Sequence, residues 1–166
     1  MEKELRVGIG WDSHPLVSGR RLVLGGVHIA YDKGLSGWSD ADVAMHAIID
    51  ALCGAADLGD IGTLFPSQEP EYKDVSSLVL LSKTDELLKA KGIAVVNIDV
   101  TIIAQSPELS PFLPEMRKRI SQALNVDSTQ VTIKATSTNA LGFIGREEGI
   151  AAQAVALIQG KGTPEN

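Results

Sequence analysis

With 166 residues, 44% of them hydrophobic, the chain is long enough to bury one real core, and nothing in its composition asks for a second domain. A formal charge of −6, with no Lys/Arg cluster and no aromatic stacking platform, argues against nucleic acid or an anionic membrane as a partner. No run approaches the ~18–20 uninterrupted apolar residues of a membrane span, and the charged opening Met1-Glu2-Lys3-Glu4 lacks the apolar core of a signal peptide, so a soluble, cytoplasmic protein is expected, or a plastid one had a transit peptide been removed.

Leu5 to Ile9 alternates apolar with other residues and reads as a strand. Asp12 and His14 follow two apart, so their side chains point the same way if the extended conformation persists. Arg21 to Leu24 and Val27 to Ile29 flank Gly25-Gly26 as the arms of a hairpin would. Ser39 with Asp42 reads as a capping pair opening a helix whose apolar stripe is Val43, Ala47, Leu52, Ala55 and Ala56, and Gly59-Asp60-Ile61-Gly62 ends it. The lone Cys53 sits in that helix; it cannot form an internal disulfide and reads as a buried, inert thiol. A second helix spans Ser76 to Lys91, stopped by Gly92. Val95 to Ile103 is a strand with Val96, Ile98, Val100 and Ile102 on one side and Asn97, Asp99 and Thr101 on the other. A third helix begins at Ser110-Pro111 with Leu113, Met116, Ile120, Ala123 and Leu124 at helical spacing. Val131 to Ala135 is a further strand, Gly149 to Ile158 a final short helix, and residues 161–166 a mobile tail.

Strands alternating with helices predict a mixed α/β class: a single domain over residues 1–160 with a mixed sheet covered on one face by helices. Few helices remain for the opposite sheet face, which points to self-association as its cover.

Four groups of residues carry chemistry. Asp12, His14 and His46 offer two imidazoles and a carboxylate, a set that suits Zn2+ and leaves a position open for water or substrate, as in a catalytic rather than a structural site. Asp42, His46 and Asp50 are four apart on one helical face, which could hold a metal and its surroundings or simply be an exposed polar face with a capping Asp. Asp12 and His14, read as a Gly-flanked turn, would supply the ligands that this face lacks. In Gly59 to Pro66, glycines allow close backbone approach and Asp60 could accept from a polyol hydroxyl, although a plain turn accounts for the same residues. The hydroxyls of Thr136, Ser137 and Thr138 after Lys134-Ala135, followed by Arg146, suit phosphate oxygens; a polar loop with an Arg–Glu surface pair is the alternative.

Taken together, Gly8-x-Gly10-x-Asp12-x-His14, Ser39-Asp40-x-Asp42-x3-His46-x3-Asp50-Ala51-Leu52, Gly59-Asp60-Ile61-Gly62-x2-Phe65-Pro66, Asp99 to Gln105, Lys134-Ala135-Thr136 and Leu141-Gly142-Phe143-x-Gly145-Arg146-x-Glu148-Gly149 resemble the 2-C-methyl-D-erythritol 2,4-cyclodiphosphate synthase family of non-mevalonate isoprenoid biosynthesis. The resemblance runs from about Leu5 to Ile158. It implies a metal-dependent lyase in which the 2-phosphate of 4-diphosphocytidyl-2-C-methyl-D-erythritol 2-phosphate attacks its own β-phosphate and expels CMP. It also implies a homotrimer with sheets facing inward and three sites at the subunit interfaces.

By the same resemblance Asp12, His14 and His46 hold Zn2+, and a second divalent cation, Mg2+ or Mn2+, sits with the substrate phosphates. Substrate is held by Asp12, His14, Trp38, Ser39, Asp60, Ile61, Gly62, Phe65, Ser67 and Glu69, with Ala104, Glu108, Leu109, Ser110, Ala135, Thr136, Ser137 and Asn139 of a neighbouring subunit around the cytidine diphosphate. Trp38, Asp60 and Ser137 match catalytic positions, and Phe143, Arg146 and Glu148 match the residues around a central cavity able to take an isoprenoid diphosphate. The chain departs from the family's usual residues at Trp38 for His, Ser67 for Asp, Glu108 for Lys, Asn139 for the Glu that binds the second metal, and Ser137 for Thr. Indole donates one hydrogen bond but carries no charge, and an amide oxygen lacks the charge that favours Mg2+. A working synthase with weaker second-metal binding is expected, beside a non-catalytic trimer that binds zinc and isoprenoid diphosphate. An unrelated zinc phosphohydrolase is disfavoured, because no second set of metal-bridging carboxylates is visible.

Overall fold

The computed structural model describes residues 3–161. The tail expected from 161 onward lies outside them except for Lys161, which closes the last strand. The elements follow in chain order. β1 (Lys3–Ser18), β2 (Leu22–Leu24), β3 (Val27–Ile29) and β4 (Lys33–Leu35) come first, then α1 (Val43–Ala55), the single turn α2 (Ile61–Leu64) and α3 (Ser77–Ala90). β5 (Ala94–Ile103), α4 (Leu113–Ala123), β6 (Val131–Thr136), the single turn α5 (Gly142–Gly145) and β7 (Gly149–Lys161) complete the chain. Five strands form one sheet in the order β4-β1-β7-β5-β6, antiparallel except for the parallel β5–β6 pair, and β2–β3 is a separate hairpin about Gly25-Gly26 as expected. Helices α1, α3 and α4 lie on one face of the sheet, so the predicted mixed α/β class holds. No helix among the described residues is long and apolar enough to cross a membrane.

Two strand assignments differ from expectation. Residues 149–158 are not a helix but the start of β7, the central strand, paired with β1 from Gly149 to Lys161 and with β5. Its alanines favour a helix locally, yet Ile150, Ala152, Ala154, Ala156 and Ile158 alternate into the core, where small side chains let α1 press onto the sheet. In β5 an irregularity between Val95 and Asn97 makes Val95, not Val96, the buried partner of Ile98, Val100 and Ile102, since one extra residue re-aims the side chains before it.

β1 runs far beyond Ile9, carrying Asp12 and His14 in extended conformation rather than in a turn. Its two faces differ. Leu5, Val7, Ile9 and Trp11 are 52–69% exposed on the face without helices, whereas Gly8 and Gly10 face α1 so closely that a Cβ there would fall on the backbone of Ala51 or Ala47. Only glycine permits that approach.

Every residue of α1 except Asp50 and Gly54 is buried, far more than the five-residue stripe expected, because the helix is enclosed by the sheet on one side and α3 on the other. Its cap is Asp42 rather than Ser39. The fully buried Asp42 carboxylate accepts from Met45 N at 3.2 Å and also from Gly25 N at 2.9 Å and Gly26 N at 2.7 Å, tying the hairpin to the helix start. Burial, and then the neighbouring Asp40, push Asp42 up to about 6 against these donors. α3 starts and stops where the sequence indicates, and α4 follows a 3-10 turn at Ser110–Phe112.

Candidate metal and substrate site

β1 and α1 meet beyond Gly10, and there Asp12, His14 and His46 converge. His14 Nε2 lies 3.1 Å and His46 Nδ1 3.0 Å from the same Asp12 Oδ2, and all three ligand atoms fall within 4.8 Å of one another. The two rings stand edge to face, with centroids 5.4 Å apart. His14 Nδ1 lies 2.7 Å from the carbonyl of Ser36, which can only accept, so that nitrogen carries a proton; Nε2 donates to Asp12 when the ring is charged and has a lone pair for a metal when it is neutral. Burial pushes the Asp12 carboxyl up, but hydrogen bonds from His14 and then His46 outweigh it and hold the group below the usual carboxylate range. The bond to Asp12 in turn raises His14 above its ordinary value, against the opposing effect of burial. Two imidazoles and a carboxylate, aimed at one point and partly buried, fit a transition-metal ion with coordination positions to spare.

The cluster forms the floor of a cavity of about 210 Å³. Of the residues expected around substrate, Asp12, His14, Trp38, Ser39, Ile61, Gly62, Phe65 and Ser67 line it with His46, joined by Tyr72 and Leu80, which the sequence did not single out. Tyr72 packs edge to face on Phe65, with centroids 5.5 Å apart. Trp38 donates from Nε1 to the carbonyl of Glu69 at 3.2 Å and carries Lys73 6.0 Å above its ring, so Glu69 acts on the wall through its backbone. Asp60 does not end α1; it caps α2, accepting from Thr63 N at 2.7 Å and Thr63 Oγ1 at 2.8 Å, and these bonds, the hydroxyl first, hold its exposed carboxyl below the usual range.

The Asp42, His46, Asp50 face therefore divides three ways. His46 belongs to the cluster, Asp42 is the buried cap, and Asp50 accepts from Ile61 N at 2.7 Å, fixing the start of α2 at the rim. Cys53 is buried as expected, its thiol pushed up to about 12 by burial and then by Asp50 and Asp60.

Ala104, Glu108, Leu109, Ser110, Ala135, Thr136, Ser137 and Asn139 do not line this cavity. They lie at and beyond the adjacent C-terminal ends of β5 and β6, where Ala104 N donates to Thr136 O at 2.9 Å and Ala140 N to Gln105 Oε1 at 3.0 Å. Asn139 has a left-handed backbone, φ 53°, and its N–H donates to Ser137 Oγ at 3.2 Å. Arg146 makes a bidentate pair with Glu148 at 2.9 and 3.1 Å, the surface pair foreseen as the alternative to a phosphate contact, and Phe143 is 43% exposed beside it. The residues expected around substrate thus fall in two separate groups on a single chain.

The YgbB family model matches residues 5–159. A 2-C-methyl-D-erythritol 2,4-cyclodiphosphate synthase of Caldicellulosiruptor bescii is 56% identical over 153 residues, 92% of this chain and 98% of the relative. Among solved structures, the bifunctional IspDF of Campylobacter jejuni superposes with a TM-score of 0.92 at 38% identity over 96% of this chain, which spans 43% of that longer one. The CDP complex of IspF from Plasmodium falciparum superposes with a TM-score of 0.84 at 32% identity, covering 98% of this chain and 100% of that one. With the match running through both groups of residues and every strand of the main sheet, the chain belongs to the YgbB family.

Proposed function

We propose that the protein is a 2-C-methyl-D-erythritol 2,4-cyclodiphosphate synthase of isoprenoid biosynthesis. An oxygen of the substrate's 2-phosphate bonds to the β-phosphorus of 4-diphosphocytidyl-2-C-methyl-D-erythritol 2-phosphate, the bond from that phosphorus to CMP breaks, and the 2,4-cyclodiphosphate and CMP leave. The observation that carries the reading is the Asp12–His14–His46 cluster on the floor of the cavity, in a chain that spans 98% of a relative bearing that name.

Zn2+ at this cluster supplies a Lewis acid for the phosphate oxygens. The chain's own contribution is position and exclusion of water, which dominate when nucleophile and electrophile share one molecule. Asp60, at the mouth of α2, accepts a methylerythritol hydroxyl, and Gly62 leaves room for the sugar. Trp38, Phe65 and Tyr72 wall the cavity against solvent. Trp38 stands at a catalytic position, yet its one N–H is already donated to Glu69, so it shapes the pocket rather than neutralising charge.

Cytidine and its diphosphate belong to the other half-site, Ala104 to Ser110 with Ala135 to Asn139, where the hydroxyl of Ser137 faces phosphate and Asn139 offers its amide oxygen to Mg2+ or Mn2+. A homotrimer with sheets inward brings this half-site of one subunit to the metal cavity of the next. The exposed Leu5, Val7, Ile9, Trp11 and Val155 support that arrangement, for they form an apolar sheet face that no helix among the described residues covers. Phe143 and Arg146 would then border an axial cavity suited to an isoprenoid diphosphate. We place the enzyme in the cytoplasm and treat residues 1–160 as one domain.

Phosphorus NMR of the purified protein with substrate, Zn2+ and Mg2+, beside a chelated control, tests the reading. Metal-dependent growth of cyclic diphosphate and CMP is expected; intact substrate with a folded, zinc-loaded trimer would leave only a binding role.

A further inference from the structure

The two histidines of the cluster turn opposite ring nitrogens to Asp12: Nε2 of His14 and Nδ1 of His46. For His14 the choice is made by the Ser36 carbonyl. For His46 it is made by side chains around its other ring nitrogen, of which Ser77 belongs neither to the motifs nor to the cavity lining. His46 Nε2 lies 3.0 Å from Oγ of Ser77, the fully buried first residue of α3, and 3.1 Å from Oγ of Ser39. Ser77 Oγ donates its one proton to Oδ1 of Asp40, and Ser77 N donates to Oδ2 of the same carboxylate at 2.9 Å. Asp40 Oδ1 also accepts from Asp42 N at 3.2 Å. A carboxylate only accepts, so the Ser77 hydroxyl has no proton left for the ring and must itself accept from Nε2–H. Ser39, whose Oγ already accepts from Ala41 N at 3.3 Å, is free to act in either sense and does not decide the matter.

We infer that Asp40 and Ser77 are positioning residues: through the chain Asp40–Ser77–His46 they hold the proton on Nε2 of His46 and thereby present Nδ1 to the metal. The inference rests on the metal reading of the cluster. It ties the metal site to the start of α3, an element that contributes no ligand. Partners of this kind orient a ligating imidazole and raise its basicity, and their loss costs about 10- to 100-fold in metal affinity.

The test measures zinc affinity by competition with a chromogenic chelator for the wild type and for His46→Ala, Ser77→Ala and Asp40→Asn, together with nitrogen-detected histidine NMR of the zinc-loaded wild type. Ser77→Ala is expected to lose about tenfold or more. Asp40→Asn is expected to lose at least as much, because an amide keeping its oxygen toward Ser77 N turns its NH2 toward the Ser77 hydroxyl and frees that proton for the ring. The NMR is expected to show the His46 proton on Nε2 and zinc on Nδ1. If His46→Ala abolishes binding while the Ser77 and Asp40 variants stay within about threefold of wild type, or if the wild-type His46 proton sits on Nδ1, the relay is refuted and the metal reading stands. Unchanged zinc binding in His46→Ala would instead remove the metal reading itself, and the relay with it.

Discussion

Gly10→Ala tests whether the closeness of β1 and α1 builds the site. A Cβ at Gly10 stands 1.9 Å from the carbonyl oxygen of Ala47 and 2.8 Å from both its carbonyl carbon and the backbone nitrogen of Ala51. Optimal separations of non-bonded heavy atoms are ~3.5 Å or more, so the helix must withdraw by about 1.5 Å, and backbone atoms cannot rotate aside as a side chain tip could. Overpacking of this kind costs about 1–3 kcal/mol. For a chain of this size each kcal/mol moves Tm by about 2–4 °C, so a loss of roughly 4–8 °C is expected at the middle of that range. His46, next to the displaced Ala47, travels with the helix while Asp12 stays on the strand. Metal–ligand distances tolerate only about ±0.2 Å, so zinc affinity falls on the order of tenfold or more. Gly54→Ala is the control: it lies in the same helix with nothing within 4 Å of its added Cβ, and it is expected to stabilise by about 0.5–1 kcal/mol and leave zinc untouched. Thermal unfolding and chelator competition on both variants decide the matter. A Gly10→Ala protein with Tm within about 1 °C of wild type and undiminished zinc affinity would refute the reasoning.

Protons compete with metal at His14. Its folded value is raised above 6.5 by Asp12, so in metal-free protein the stabilisation from the protonated pair is fully present below 6.5 and is lost as pH rises through the higher folded value. Zinc requires the neutral ring, so chelator competition should show affinity climbing through that same window while the metal-free Tm declines; parallel trends in the two would contradict this. Asp42→Ala removes a helix cap and leaves the buried N–H groups of Gly25 and Met45 without acceptors, with a cost of about 2–5 kcal/mol by urea unfolding, and a cost under about 1 kcal/mol would mean the carboxylate is not the tie between hairpin and helix. Asn139→Glu adds the charge that Mg2+ and Mn2+ favour and should tighten their apparent binding in titrations with substrate, without altering zinc; no change would place the second cation elsewhere.

The metal cluster was legible in the sequence because its signals are short in range. Asp12 and His14 share a face by the two-residue period of a strand, and His46 follows a capping Asp at the start of an apolar helix. What failed was wherever tertiary packing overrode local preference. Residues 149–158 carry the alanines of a good helix, but those alanines are there because a central strand pressed by α1 has no room for larger side chains. Strand β1 continues past Gly10 to Ser18 because β7 pairs with it as far as Pro15 opposite Gly149 and β4 pairs with Leu16 to Ser18. Tyr72, Leu80 and Ser77 reach the site from segments whose own patterns are ordinary: a surface turn, a helix stripe and a helix-start serine. Their meaning lies in distant partners, and no periodicity reports those.

The alternation along β1 makes the site a reading of strand register. Each residue's partner on β7 is set from Lys3 opposite Lys161 to Pro15 opposite Gly149, and this alone keeps Gly8, Gly10, Asp12 and His14 inward while Leu5, Val7, Ile9 and Trp11 point away from the helices. A slip by one residue would exchange the two sets at a stroke, pushing Trp11 and Ser13 under α1 and turning both ligands outward, with little change in strand content. Metal uptake therefore reports something that secondary-structure spectra cannot see: whether the first strand has been laid down in step.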